Sequence, residues 1–364
     1  MGSKLSKRHL LYVVILVLLV VVLVVALAGL RLTSQQKVGF IITGAATDDG
    51  WNGMHVSGIT SVCEDFGVKL LIEENVAEGT GQCEQAVRRL AEEGVQMIVL
   101  SSFSYPSEIK ETIAEYPDIA FYGISAEYSA DNMTAYFGRV YEMRYLSGII
   151  AAMQSETKQL GYVAAMPNSE VNRGINAFAL GARSVDPDIQ VNVIFTGAWD
   201  APEEEIAAAN RLISEYDSDV LTYHQNKHAV AKAADDAGVY SIGYNEEVNG
   251  LSEKYLTSVV WDWERLYYEI IREYVMGNAN AVARRWYGAS TGAVLLSEYS
   301  QAVSADTIAV VEAAKTSLVN GKNVFSGEIY DNTGVRRCEN DEMLSDEILF
   351  EQMDWYVNGV VIYD

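Results

Sequence analysis

From Lys37 onward, short apolar runs alternate with amphipathic stretches of about 10–16 residues, the cadence of parallel strands joined by crossover helices. The first set of runs is KVGFIIT (37–43), VKLLIEE (68–74), VQMIVL (95–100) and IAFYG (119–123). Between them, GQCEQAVRRLAEEG puts Cys83, Ala86, Val87 and Leu90 on one helical face. PSEIKETIAEYPD reads the same way and stops at Pro117. Then the pattern restarts with LGYVAA (160–165), VNVIFT (191–196), SDVLTYH (218–224) and VYSIGY (239–244). The strands of the first set start 31, 27 and 24 residues apart, and those of the second 31, 27 and 21. Such spacing predicts two α/β lobes of similar topology.

The stretch before Lys37 is different. Residues 10–30 hold 21 residues without a charge, and at ~1.5 Å per residue such a helix spans the hydrocarbon of a bilayer. Lys4, Lys7 and Arg8 precede it, while only Arg31 and Lys37 follow closely, which sets the N-terminus in the cytoplasm and the bulk outside. A cleaved signal peptide is the rival reading, with ALAGL as a weak cleavage site. No cysteine lies near the end of the run, so a lipid-modified cysteine is excluded.

The expected layout is therefore a cytoplasmic tail over 1–9, a transmembrane anchor over 10–30 and a linker over 31–36. Lobe 1 takes 37–139 plus about 262–340, lobe 2 takes 140–261, and 341–364 form a C-terminal helix and tail packing on the lobes. The expected location is the cell membrane, single-pass, with the binding region extracytoplasmic.

Charge narrows the function. The 364 residues carry 50 acids against 26 bases, a net charge of −24, which repels nucleic-acid phosphates and anionic lipid. Nucleic acid is set aside as a partner. The three cysteines, Cys63, Cys83 and Cys338, allow one bridge, with Cys63 and Cys83 the nearer pair, or three buried thiols.

Two facing α/β lobes make a cleft, and ligands of open α/β sheets sit beyond the carboxyl ends of the strands. Those ends read TDDGWN, SSFSYP, MPNSEVNR, TGAWDAP, YHQNKH, GYNEEV and VVWDW. Aromatic rings and short polar groups recur there, and Trp51 of lobe 1 answers to Trp199 of lobe 2. The two indoles are expected to sandwich a flat ligand, with Asn52, Ser102, His224, Asn245 and Glu246 reading its polar edge. Tyr105, Arg173 and Trp261 are further cleft candidates, Arg173 with Glu170 as the competing salt-bridge partner.

The run YVAAMPNSEVNRGINAFALGARSVDP resembles the basic-membrane-protein family of type I solute-binding proteins, as do YFGRVYEMRYLSGIIAA, VLTYHQNKHAVAKAADDAGVYSIGYN and VFSGEIYDNTG. The similarity runs from about Lys37 to the C-terminus. It implies an α/β fold of periplasmic-binding-protein type I: two Rossmann-like lobes with parallel sheets and three crossovers, here preceded by one N-terminal transmembrane helix. It also implies the substrate-binding component of an ABC importer, with a purine base or nucleoside as ligand and permease subunits as partners. On the family pattern Trp51 and Trp199 are the stacking aromatics, and Asn245 with Glu246 stand where an acid holds a ribose. A lysine that often assists at the last cleft strand has no match, Trp261 and Asp262 standing there instead, which favours a free base such as adenine or hypoxanthine. A membrane-anchored sensor feeding a signalling partner is the alternative use of the same clamp.

No enzyme is expected. There is no G-x-S-x-G elbow and no P-loop, and GTGQCE lacks the third glycine of a dinucleotide fingerprint. His224 and His228 lie four apart, as two zinc ligands would, but Gln225 stands where the metalloprotease pattern needs Glu. Neither a metal nor a cofactor is expected.

Overall fold

The computed structural model describes residues 12–13, 15–22, 35–48, 50–126 and 128–364. Of the expected anchor only 12–13 and 15–22 are described, and these are helical. The rest of 10–30 lies outside the described residues, as do the tail over 1–9 and residues 31–34 of the linker. Among the described residues no helix is long and apolar enough to cross a membrane.

The first sheet contains β1 (Lys37–Ile41), β2 (Lys69–Glu73), β3 (Met97–Leu100), β4 (Ala120–Ile124), β5 (Met133–Gly138) and β11 (Arg284–Tyr287). Its order is β11-β5-β4-β3-β1-β2, parallel throughout. The second contains β6 (Gln159–Ala164), β7 (Gln190–Phe195), β8 (Val220–His224), β9 (Tyr240–Asn245), β10 (Tyr255–Trp261), β12 (Val294–Leu296) and β15 (Val360–Tyr363). Its order is β12-β10-β9-β8-β6-β7-β15, parallel except for the antiparallel edge strand β12. Each lobe repeats the doubly wound order 2-1-3-4-5, so each has one switch point, at β1/β3 and at β6/β8. Strands buried on both faces need apolar residues at nearly every position, which is why their runs stood out in the sequence.

The helices cover both faces. In lobe 1, α1 (Trp51–Asp65) packs with α9 (Trp263–Val275) on one face, and α2 (Gln82–Glu92) buries Cys83, Ala86, Val87 and Leu90 on the other. Cys63 and Cys83 therefore belong to different apolar clusters on opposite faces of the sheet, and all three cysteines are free and buried. In lobe 2, α5 (Val140–Gln154) and α6 (Ser169–Val185) pack tightly together. Asn168 caps α6, its side-chain oxygen accepting from the Val171 N–H at 3.0 Å.

The chain passes between lobes three times: from β5 into α5, from β10 into α9, and from β11 to β12. The division of the later residues differs from the expected one. Of about 262–340, α9 and β11 join lobe 1, but β12 pairs with β10, and α10 (Ala305–Val319) packs on α5 in lobe 2. Residues 341–364 form more than a helix and tail. After the short α11 (Asp346–Glu351), capped by Ser345, β15 becomes a strand of the second sheet because its apolar VVIY continues the register of β7.

Candidate functional site

A cleft of about 450 Å³ lies between the carboxyl ends of the two sheets, at both switch points. It is bordered by Trp51, Phe103 and Ile124 from lobe 1 and by Trp199 and Tyr244 from lobe 2.

The turn after β1 builds one wall. Asp48 Oδ1 accepts from the N–H groups of Gly50 at 3.1 Å and Gly53 at 2.7 Å, while its Oδ2 accepts from Asn52 Nδ2 at 2.6 Å. The Asn52 amide oxygen in turn accepts from the Thr43 hydroxyl at 3.2 Å. This network presents Trp51 as the first residue of α1. The indole Nε1–H donates to the Ser101 carbonyl at 2.9 Å, and its ring meets Trp263 edge-on at 5.3 Å. Beside it, Glu78 accepts from the hydroxyls of Ser102 and Ser104.

The opposite wall comes from β8 and β9. His224 Nε2 lies 3.5 Å from Glu170 Oε1, both groups buried. Burial pushes the His224 pKa below the usual histidine value, although Glu170 opposes this, so the ring is neutral near pH 7. Burial raises Glu170, but hydrogen bonds from His224 and Ser125, with the charge of Arg173, outweigh it and hold the carboxyl below its ordinary value. Beneath this wall the buried Arg144 lies 4.3 Å from the centroid of the Tyr244 ring and donates to Thr222 Oγ1 and the Tyr223 carbonyl. Gln225 donates to Thr196 Oγ1 at 2.8 Å. Its Oε1 and the hydroxyl of Ser101 across the cleft are buried with no partner among the described residues.

Six of the ten expected ligand residues border this cleft: Trp51, Asn52, Ser102, Trp199, His224 and Asn245. The other four turn away from it. Tyr105 opens a short helix, Tyr105–Glu108, and is fully buried behind the sheet, its hydroxyl donating to the Val76 carbonyl. Arg173 runs under Trp286 and Phe350 and donates to the Leu349 carbonyl at 2.7 Å, and burial lowers its pKa to about 10. Trp261 stacks on Trp263 at 4.5 Å and donates to Asn245 Oδ1 at 3.2 Å, so it supports a cleft residue without reaching the cleft. Glu246 follows Asn245, whose left-handed φ of 72° redirects the chain, and its carboxylate meets His228 at 3.1 Å. His224 and His228 thus have different partners, Glu170 and Glu246.

Sequence reasoning missed Asp48, Glu78, Glu170, Asp200, Gln225, Asn226 and Lys227 as cleft residues. Gln225, Asn226 and Lys227 lie in the YHQNKH strand end, where position alone was the available signal. Glu78 follows β2 by five residues and carried none. A lysine does border the cleft: Lys227, from the end of β8, pairs with Asp200 at 3.4 Å. Among the described residues the lining therefore carries four carboxylates and one ammonium, with His224 neutral. Aromatic walls, excess acceptor charge and unpaired buried oxygens suit a flat, uncharged ligand rich in N–H or O–H donors.

Residues 35–328 match the family described as ABC transporter substrate-binding protein PnrA-like. The chain is 33% identical over 328 residues to a purine-binding protein of Brucella abortus, covering 89% of this chain and 92% of that one. It is 34% identical over 315 residues to a protein of Haloferax volcanii named for glucose binding in an ABC transporter, covering 86% and 77%. A solved ABC transporter solute-binding protein of Aeropyrum pernix aligns with a TM-score of 0.68 at 18% identity, covering 79% and 92%, a likeness of fold alone.

Proposed function

The chain belongs to the PnrA-like family of ABC transporter substrate-binding proteins, and from that premise we propose that it captures a purine base or purine nucleoside and delivers it to the permease of an importer. The family is one of binding proteins, not enzymes. The observation that carries the reading is the pair Trp51 and Trp199, set on cleft walls from different lobes around about 450 Å³. Two indoles so placed offer stacking faces to a planar heterocycle, worth roughly 1–3 kcal/mol per ring face by comparison with base–aromatic stacking. Gln225 Oε1 supplies an acceptor for a ring or exocyclic N–H, and Ser101 Oγ a second polar contact from the other lobe. The purine-binding relative supports the choice of heterocycle. The acidic lining disfavours a phosphate, so the ligand is a base or nucleoside rather than a nucleotide.

The clamp works outside the cytoplasmic membrane, held there by the apolar segment at 10–30. Closure brings both indoles onto the ring by hinge motion at the three crossings, and contacts made only in the closed form stabilise it. Mass spectrometry of small molecules released from the purified chain tests the reading. A purine is the expected result. Release of a hexose, the ligand named for the Haloferax relative, would overturn it.

A further inference from the structure

The N-terminus of α1 is capped in an unusual way. Gly50 at the cap position has no side chain to offer, and Asp48 serves the Gly53 N–H. The N–H of Trp51 is served from the other lobe, donating to Asn226 Oδ1 at 3.0 Å. The same Asn226 donates its own N–H to the Trp199 carbonyl at 2.7 Å. One residue of lobe 2 is thus bonded to the backbone of both indole-bearing residues, one on each side of the cleft.

The surroundings fit a contact that exists only when the lobes meet. Gly50 lies so close to lobe 2 that a methyl built on it would come 2.9 Å from the Asn226 carbonyl oxygen. Behind Asn226, Asn245 Nδ2 donates to the Gln225 carbonyl at 3.2 Å, and Asn245 Oδ1 accepts from Trp261 Nε1 at 3.2 Å. Trp261 is the last residue of β10 before the chain crosses into α9. A chain of hydrogen bonds and backbone therefore runs from a crossing to the mouth of the cleft.

We propose that Asn226 is the closure latch: a helix cap given in trans by lobe 2, which holds the lobes shut and sets Trp51 and Trp199 in register across the cleft. This rests on the reading of the chain as a hinged clamp, but not on the identity of the ligand. Opening the cleft leaves the Trp51 N–H to water, and closing it restores the cap, so the bond biases the open–closed equilibrium. A cap of this kind contributes about 1 kcal/mol, or about fivefold in that equilibrium. An aspartate at 226 keeps the acceptor and adds a favourable charge at the helix N-terminus.

The test is the distance between spin labels on exposed residues of the two lobes, Thr80→Cys and Glu203→Cys, in the full chain in detergent with no ligand added. The native cysteines are buried, which keeps the labelling selective. The expected result is a short-distance population in the otherwise unaltered chain. The ratio of short- to long-distance populations falls about fivefold in Asn226→Ala and is kept in Asn226→Asp, as an acceptor role requires. Gly50→Ala also lowers it, by contact with the Asn226 carbonyl. Coincident distance distributions for the unaltered chain and Asn226→Ala would overturn the latch, as would the lack of any short-distance population. Adenine, hypoxanthine and their nucleosides added in turn to the same samples separate the two readings: a latch that responds to mutation but to none of these purines sinks the ligand assignment and leaves the latch standing.

Discussion

Trp51 donates its indole N–H to the carbonyl oxygen of Ser101 at 2.9 Å, so the end of β3 fixes the plane of a ring carried by α1. Trp263, edge-on at 5.3 Å, supports it from behind. A ring set before ligand arrives loses little freedom on binding, which raises the value of each stacking contact. Trp51→Ala and Trp199→Ala are each expected to weaken purine binding at least about tenfold, within the range of one lost stacking face. Calorimetry on the full chain measures this, and unchanged affinity in both variants removes the stacking account.

Charge in the cleft predicts selectivity. Among the described residues, Asp48, Glu78, Glu170 and Asp200 face one ammonium, that of Lys227, which Asp200 already engages. Adding a 5′-phosphate to a bound nucleoside should therefore weaken binding by about a hundredfold or more, since a like charge placed near these carboxylates meets several kcal/mol of repulsion at an effective dielectric of about 20. Competition between adenosine and its monophosphate, run at two salt concentrations, reads the effect. Equal affinities would contradict it.

The packing of α5 on α6 predicts where lobe 2 is least tolerant of added volume. A methyl on Gly148 would lie 2.1 Å from the Phe178 carbonyl oxygen, and one on Gly181 would lie 1.9 Å from that of Tyr145. Both obstacles are backbone, so neither can rotate aside. Gly148→Ala and Gly181→Ala should each destabilise the fold by about 1–3 kcal/mol or more. Thermal or urea unfolding gives the number, and an unchanged midpoint would mean that the helices can part freely.

Stability should fall as pH drops below about 6.5. Burial lowers the pKa of both His55 and His224, so between 6.5 and their folded values the unfolded chain takes up protons that the folded chain refuses. Their contribution is complete above 6.5 and is lost as pH falls toward the lowered values. Each histidine adds at most about 1.4 kcal/mol per pH unit to the slope in that window. The comparison is the native chain against His224→Gln between pH 6.5 and 5, each also carrying Glu170→Gln because His224 helps hold that carboxyl down; Glu142 and Glu205, raised by burial and opposite in sign, are common to both. Parallel stability curves would show that His224 is not held neutral.

The first four strands of each doubly wound half were readable, most of them because parallel strands buried on both faces are apolar almost throughout. KVGFI, MIVL and QVNVIF each lie within two residues of the runs quoted for them. The edge strands β11 and β15 were not readable. Arg284–Tyr287 carries two arginines in four residues, and β15 pairs with a strand some 170 residues earlier, so no local pattern announces either. The strand-end rule found Trp51, Trp199 and His224, because it asks only where a residue sits along the chain. It could not tell which way a side chain points. Arg173 and Glu170 are three residues apart at the start of α6, yet one meets His224 and the other reaches Leu349 beneath α11. Glu246 was separated from the cleft by the single left-handed residue before it. Asn226 escaped notice because its role depends on a helix from the other lobe.

The last strand, Val360–Tyr363, lies outermost in the second sheet beside β7. The chain crosses the membrane from its N-terminal end, so every strand of the first sheet is outside once residue 287 has emerged. The second sheet must wait for residue 363. For that interval β7 presents an open edge able to pair with any passing strand. Lobe 1 can mature on the outer side while lobe 2 stays unfinished, and it is the late, half-built lobe that an extracytoplasmic chaperone would have to shield.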